Sequence, residues 1–294
     1  MGPADFVLLV LTAAIWAGAF VGIKIAVPTL GPVGVAAARA AIGFAVLLPF
    51  ALAQGLPRPQ RPGDWGLLLL MGSLNISLPF FLISWAEQTV SAGVASLFMG
   101  VGPFFAIVGA HYFNEGDQLT PRRWLGVIIG FSGLLLLLGF DTLRDAASGV
   151  LPAQLALLGA CLCYVTSGLL VRRIALPPLA LATYALAIAT VTLVPIQMLT
   201  QPPMGTLTRD VALAVAYLGL IPTGLAYLLR FHLIRTVGYA TFALSINLIP
   251  VFGVLLGALI LRERPEPTTL LALALVLTGL SVARTAPPRE RARA

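Results

Sequence analysis

The chain has 294 residues, of which 59% are hydrophobic and only 10% are charged, with a mean hydropathy of +0.98. A soluble domain carries about 25% charged residues, so this chain is too apolar for a water-facing surface and is predicted to be a polytopic membrane protein. Its formal charge of +7 is spread over short loops and the C-terminal tail, which argues against nucleic acid as a partner and favours the anionic cytoplasmic leaflet. The only cysteines, Cys161 and Cys163, lie two residues apart; no disulfide framework, metal site or cofactor is predicted from them.

Ten apolar stretches are long enough, at about 20 residues each, to cross a bilayer as helices. Proline, glycine and charged residues separate them. The predicted spans are 4–27, 33–53, 64–85, 91–113, 121–139, 150–171, 178–199, 209–231, 240–261 and 268–284. The first lacks a cationic leader and a cleavage site, so we expect it to be retained. The fold class predicted is an all-α polytopic membrane protein.

The second half of the chain repeats features of the first. The stretches TVSAGVASLFMGVGPFF and TVGYATFALSINLIPVF start 147 residues apart, at Thr89 and Thr236. At the same offset, Gly72 matches Gly219 and Pro103 matches Pro250. Five spans in each half predict two oppositely inserted repeats, residues 1–147 and 148–294, around a central cavity, an architecture typical of secondary transporters. An old duplication without mechanical meaning is the alternative.

Lysine and arginine residues predict the orientation of the chain. With the N-terminus inside, twelve of the eighteen fall on the cytoplasmic side and six outside. We therefore expect both termini in the cytoplasm and the protein in the inner (plasma) membrane of a bacterial-type cell.

Four segments resemble the EamA-type transporters of the drug/metabolite transporter superfamily. They are WAGAFVGIK (Trp16–Lys24), AAARAAIGF (Ala36–Phe44), VGPFFAIVGAHYFNE (Val101–Glu115) and LIPVFGVLLGALILRE (Leu248–Glu263). The resemblance implies a ten-helix carrier with a central cavity that exports small metabolites, and the likeness within the family is to neutral and aromatic amino-acid exporters. The chain departs from the pattern at Ala17, where glycine is usual, and at Tyr164 and Arg172, which replace the Trp and Lys of the first half.

Two amides are the leading candidates for substrate binding. Asn75 and Asn247 lie near the middles of the third and ninth predicted spans, and their donors and acceptors suit a zwitterion. Ser245 and Pro250 flank Asn247, which favours a place in the cavity, whereas helix–helix hydrogen bonding is the alternative role for both amides. The residues expected to form the cavity walls are Trp16, Phe20, Met99, Tyr164 and Tyr227.

Two prolines are predicted to form hinges beside the cavity. Pro103, after Gly100 and Gly102, and Pro250 lie inside the fourth and ninth predicted spans. An internal proline removes a backbone hydrogen bond and kinks a helix. A static kink that improves packing is the alternative.

The positions of the carboxylates predict how transport is coupled. Every aspartate and glutamate, Glu87 among them, falls at a span end, in a loop or in the tail. A proton-coupled antiporter usually needs an ionisable residue within the membrane, so we expect alternating access that is weakly coupled or uncoupled.

The function predicted is export of amino acids or similar small metabolites by a monomer or weak homodimer. Exchange of sugar phosphates or nucleotide sugars is the alternative; it requires cations in the cavity, and Lys24, Arg39 and Arg230 lie towards span ends. A lipid flippase is a further alternative. No nucleotide-binding loop, H-E-x-x-H or G-x-S-x-G motif occurs, so we expect no catalytic residues and no enzyme activity.

Overall fold

The computed structural model describes residues 2–113, 120–139, 149–170, 173–200, 205–237, 242 and 245–283, and across these ranges the regular structure is helical. The α-helices are α1 (Pro3–Ala53), α2 (Pro62–Gly72), α3 (Leu78–Ala86), α4 (Ala92–Met99), α5 (Gly102–Phe113), α6 (Pro121–Leu138), α7 (Val150–Leu170), α8 (Pro178–Thr200), α9 (Arg209–Leu218), α10 (Ala226–Val237), α11 (Ile249–Ile260) and α12 (Pro267–Ala283). The predicted all-α membrane fold is confirmed.

The helix α1 combines the first two predicted spans. Its 51 residues would measure about 77 Å if straight, far more than the ~30 Å hydrocarbon core. The helical path breaks at Gly31, whose φ of 67° and ψ of 169° lie in a region open to glycine. The chain can therefore turn back at Gly31. This position lies three residues after Pro28, which follows the predicted end of the first span.

Seven helical segments of the described chain are long and apolar enough to cross a membrane, and α11 and α12 are shorter apolar helices. The number of ten spans stays a prediction, because α11 is short and residues 238–241 and 243–244 before it are outside the described ranges. The proposed boundary between the halves, 147/148, also lies outside them.

Two π-helices occupy matching positions in the halves. Ser73–Ser77 joins α2 to α3, and Gly219–Leu225 joins α9 to α10. The residues that precede and begin them, Gly72 and Gly219, are a pair already matched at the offset of 147. A π-helix interrupts the regular hydrogen-bond ladder and is frequent at functional sites.

Helices of the first half pack against helices of the second half. The helix α4 packs on α11, and α6 packs on α12. Glycines allow the close approach: a methyl group on Gly126 would lie 2.6 Å from the Gly279 carbonyl oxygen, and Gly253 faces Ser96. These close glycine contacts are made between helices of the same chain.

Candidate functional site

A second pair of helix breaks lies where α4 meets α11. Gly100 and Val101 interrupt the chain between α4 and α5, and Asn247 and Leu248 form a turn before α11. These breaks are again 147 residues apart. They also lie close together, since a methyl group on Gly100 would be 2.5 Å from Cγ of Pro250.

The two prolines were expected to kink continuous helices, but each of them lies at the start of a helix instead. Pro103 is the second residue of α5, and Pro250 is the second residue of α11. A proline in the first turn removes no intrahelical hydrogen bond. The structure thus places both prolines directly after breaks, and Asn247 lies in a turn rather than in the middle of a helix.

Asn75 lies in the first π-helix and contacts α7 of the other half. Its Oδ1 accepts a hydrogen bond from Ser167 Oγ at 3.2 Å, and the same hydroxyl donates to the Tyr164 carbonyl at 2.9 Å. Two predicted site residues, Asn75 and Tyr164, are therefore brought together. Within the described chain, the amide nitrogen of Asn75 makes no hydrogen bond, whereas its Oδ1 does.

Trp16 makes the corresponding contact in the other direction. Its Nε1 donates to the Pro222 carbonyl in the second π-helix at 3.1 Å, and its ring packs edge-on against Phe242 at 5.9 Å. Pro222 is the counterpart of Asn75 at the offset of 147, as Tyr164 is of Trp16 at 148. Each half thus donates a side-chain hydrogen bond from its first span to the π-helix of the other half, from Trp16 in the first half and from Ser167 in the second.

Of the other residues predicted to line the cavity or to form hinges, some lie in the protein core and some lie beside the contacts between the two halves. Ser245 is buried and donates to the Phe242 carbonyl at 2.7 Å, close to Trp16. Phe20 is buried within the main core, and Met99 packs on it. Tyr227 packs on a second core cluster. Gly102 approaches α7, since a methyl group on it would lie 3.2 Å from Cys161 Sγ.

Arg39 is a buried cation that the sequence analysis placed towards a span end. It is only 8% exposed. Its Nε donates to Thr223 Oγ1 in the second π-helix at 2.7 Å, and its guanidinium lies 3.8 Å from the centre of the Phe80 ring. Arg39 therefore links the surroundings of both π-helices, which its place in a small-residue run did not indicate.

Glu87 is a buried ionisable residue whose burial the sequence did not predict. It follows α3 directly, as expected for a span end, but its side chain is 0% exposed. Its backbone carbonyl and that of Val90 accept hydrogen bonds from Lys24 Nζ at 2.6 and 2.7 Å. Lys24 thereby fastens the turn after α3 to α1, while the Glu87 carboxylate makes no hydrogen bond to the described chain.

Two apolar grooves open on the described surface, and neither contains the predicted cavity residues. One of about 480 Å³ lies between α5 and α6 and is lined by Phe105, Phe131 and Trp124, among others. The other, of about 240 Å³, lies between α1 and α8. The central cavity stays a prediction.

Comparison with known proteins gives a consistent match. The EamA-like transporter family matches residues 5–139 and again residues 151–285. The "Probable terminal-alkyne amino-acid exporter" of Streptantibioticus cattleyicolor is 28% identical over 275 residues, covering 92% of this chain and 90% of that protein. The "Uncharacterized transporter YdfC" of Bacillus subtilis is 27% identical over 271 residues, covering 92% and 87%.

A solved structure supports the fold alone. A crystal structure with 22% sequence identity aligns with a TM-score of 0.66 and covers 95% of this chain and 97% of its own. The double family match agrees with the repeat read from the sequence. The names of the relatives point to transport rather than catalysis.

Proposed function

Because the chain belongs to the EamA-like transporter family, a multi-pass membrane transporter family, we propose that it exports amino acids or similar small metabolites by alternating access. The observation that carries the proposal is the pair of matched interruptions in each half. Both π-helices and both helix breaks lie where the halves touch. Such points allow one half to change its conformation against the other, as inverted-repeat carriers require.

The substrate class is supported by the polar groups at these contacts. The free amide donors of Asn75 and the aromatic residues Trp16 and Tyr164 suit a small molecule with both polar and apolar parts. One relative with 28% identity is named an amino-acid exporter. We extend that substrate class to this chain as a proposal.

Exchange of phosphorylated sugars is the second candidate, and the burial of Arg39 favours it. Exchange of phosphorylated sugars was the less favoured alternative because the sequence placed the cations near span ends and none in the interior. A guanidinium binds phosphate as readily as carboxylate, so Arg39 supplies one of the groups required.

Uptake into liposomes that contain the purified protein separates the two candidates. We expect labelled neutral or aromatic amino acids to enter, and unlabelled amino acids to compete. Sugar phosphates should not compete at equal concentration. Competition by sugar phosphates, together with no uptake of amino acids, would establish the second candidate instead.

We still propose that transport is weakly coupled or uncoupled to an ion gradient. One observation argues against this proposal. Glu87 is buried, so the chain does hold an ionisable group away from water. Apart from Glu87, the aspartates and glutamates of the described chain lie at helix starts or in loops, which supports weak coupling.

A further inference from the structure

The first turn of α4 is capped by side chains from both halves of the chain. Ser91, directly before the helix, accepts a hydrogen bond from the backbone N–H of Val94 at 3.2 Å. Glu263, from the second half, accepts from the N–H groups of Ala92 and Gly93 at 2.8 and 3.1 Å. The first N–H groups of a helix have no partner within it, and the helix dipole favours a carboxylate there. A charged side chain of the second half therefore completes the start of a helix of the first half.

The backbone after α11 places this carboxylate. Arg262 has a φ of 56°, which is uncommon in residues other than glycine and persists only where the surrounding structure holds it. The N–H of Glu263 donates back to the Gly257 carbonyl at 3.1 Å. Gly257 also leaves room for the carboxylate, since a methyl group on it would lie 2.5 Å from Glu263 Oε2. Glu263 is therefore positioned by contacts within its own half.

The turn between α3 and α4 is likewise fastened within the first half. Lys24 of α1 donates to the carbonyls of Glu87 and Val90 in this turn at 2.6 and 2.7 Å. The turn and the start of α4 are thus tied to α1, which belongs to the same half. Glu263 therefore connects two units that are each held internally.

The helices α4 and α11 pack closely beside this contact. A methyl group on Gly93 would lie 3.4 Å from Cα of Val254, and Gly253 faces Ser96. Val254 and Ser96 are buried. The hydrogen bonds of Glu263 therefore lie at the end of a stretch in which the two halves touch and water is kept out.

We propose that Glu263 is a positioning residue for transport, whose carboxylate holds the two halves together at the end of the molecule that carries the turn between α3 and α4. Alternating access requires the halves to part at one end and then at the other. The contact of Glu263 with α4 must therefore break each time this end opens. The inference rests on the alternating access of the proposed function and not on its substrate class.

The rate of cysteine labelling measures how often this end opens. The reporter is Val254→Cys, in a chain whose Cys161 and Cys163 are replaced by alanine. The purified protein is placed in lipid nanodiscs, which leave both ends open to solvent, and a charged thiol reagent that does not enter the bilayer is added.

A second reporter, Leu233→Cys, detects general loosening of the fold. Leu233 of α10 is buried in a cluster with Leu9 of α1, so it also lies where the two halves touch. Leu9 precedes Lys24 by 15 residues, which places it about 22 Å away along α1. This reporter is therefore remote from Glu263.

Two substitutions weaken the contact in steps. Glu263→Gln keeps one acceptor oxygen, and Glu263→Ala keeps none. We expect labelling of Val254→Cys to become about tenfold faster in Glu263→Ala, because hydrogen bonds to a charged group are lost, and to rise by less in Glu263→Gln. Labelling of Leu233→Cys should stay the same or fall. Glu263→Gln also serves if Glu263→Ala fails to fold.

Asp64→Asn and Glu266→Gln are the matched controls. Asp64 accepts from the backbone N–H of Arg61 at 3.4 Å, so it caps the start of α2 within one half. Glu266 is exposed, lies three residues after Glu263, and accepts from the Thr268 hydroxyl at 3.3 Å. Since neither hydrogen bond joins the halves, both variants should label at the wild-type rate.

A disulfide across the same contact tests whether this end must open for transport. The methyl position of Gly93 lies 3.5 Å from Cγ2 of Val254, so cysteines at these two positions are close enough to be joined. We expect the oxidised Gly93→Cys/Val254→Cys protein to lose counterflow and a reducing agent to restore it.

The outcomes separate this inference from the proposed substrate class. Unchanged labelling of Val254→Cys in Glu263→Ala, or faster labelling of both reporters, would overturn the inference, because Glu263 would then have no role or only stabilise the fold. Full counterflow by the oxidised protein would overturn it as well. A wild type that carries no amino acid, but whose reporters respond as expected, would overturn the substrate class alone.

Discussion

Asn75 has two possible roles, substrate binding and helix–helix packing, which mutations can distinguish. Its hydrogen bond to Ser167 would also be made by a purely structural amide, and such bonds between membrane helices contribute about 0.6 kcal/mol on average. Ser167→Ala removes the same bond from the other side. The two substitutions therefore separate the packing role from the ligand role.

We expect Asn75→Leu to lower the rate of amino-acid transport about tenfold, equivalent to ~1.4 kcal/mol, because it also removes the free amide donors. Ser167→Ala should lower transport by less than about threefold. Both variants should elute as folded protein in detergent. Equal losses in the two variants would mean that Asn75 only joins the helices.

The residue scale is also where sequence analysis reaches its limit. It identified Asn75, Tyr164 and Trp16, because a polar or aromatic residue inside an apolar run stands out. It missed Arg39 and Glu87, because each lies near a span end and is buried by residues distant in sequence. Thr223, which binds Arg39, is 184 residues away, and no local pattern reports such a contact.

At the scale of elements, the contact of α6 with α12 depends on glycine. A methyl group on Gly126 would lie 2.6 Å from backbone atoms of Ala283 and Gly279, and a backbone cannot move aside as a flexible side chain can. Gly66 in α2 is exposed and has no atom within 4 Å of the same position.

We expect Gly126→Ala to destabilise the protein by about 1–3 kcal/mol through overpacking. Gly66→Ala should leave stability unchanged or slightly raised, because alanine favours the helix. Thermal unfolding of both variants in the same detergent provides the measurement. An unchanged melting temperature for Gly126→Ala would show that α6 and α12 are not held at this distance.

The helix breaks carry the prediction about motion. Pro250 cannot donate a backbone hydrogen bond, so it keeps α11 from extending into the turn at Asn247 and Leu248. Pro250→Ala removes that block and should make the turn harder to reshape. We expect slower exchange with unchanged equilibrium binding of the substrate, and the same behaviour in Pro103→Ala because the two positions match.

Counterflow rates and equilibrium binding, measured on the same preparations, test this prediction. Weakened binding in Pro250→Ala would assign the proline to the site itself. Unchanged exchange in both variants would mean that the prolines only fix where α5 and α11 begin and play no part in the motion. The sequence predicted that these prolines are paired, but not that they follow breaks, because proline is compatible with both a kink and a first turn.

At the scale of the whole molecule, the charge distribution predicts the orientation of the chain. Both termini should lie in the cytoplasm, since twelve of eighteen lysine and arginine residues then fall inside. Green fluorescent protein fused to the C-terminus should fluoresce, and alkaline phosphatase fused at the same point should be inactive. The reverse pattern would place the turn after α3 and Glu87 on the cytoplasmic side.

The repeat is the feature of the whole molecule that the sequence predicted best. A constant offset depends on many residues at once, so it survives loose local motifs, and the matched π-helices and breaks agree with it. Their conformation could not be predicted, because a π-helix and an α-helix share the same apolar composition. The central cavity depends on how the two halves tilt, which is a property of packing rather than of any segment.

Counterflow by the wild-type protein tests the central claim most directly. Liposomes are loaded with an unlabelled neutral or aromatic amino acid, and uptake of the labelled compound is followed without any ion gradient. We expect transient accumulation of the label, which only a carrier that exposes one site alternately to each side produces. No accumulation with any amino acid, or accumulation only under an imposed pH gradient, would contradict an amino-acid carrier that works without strict coupling.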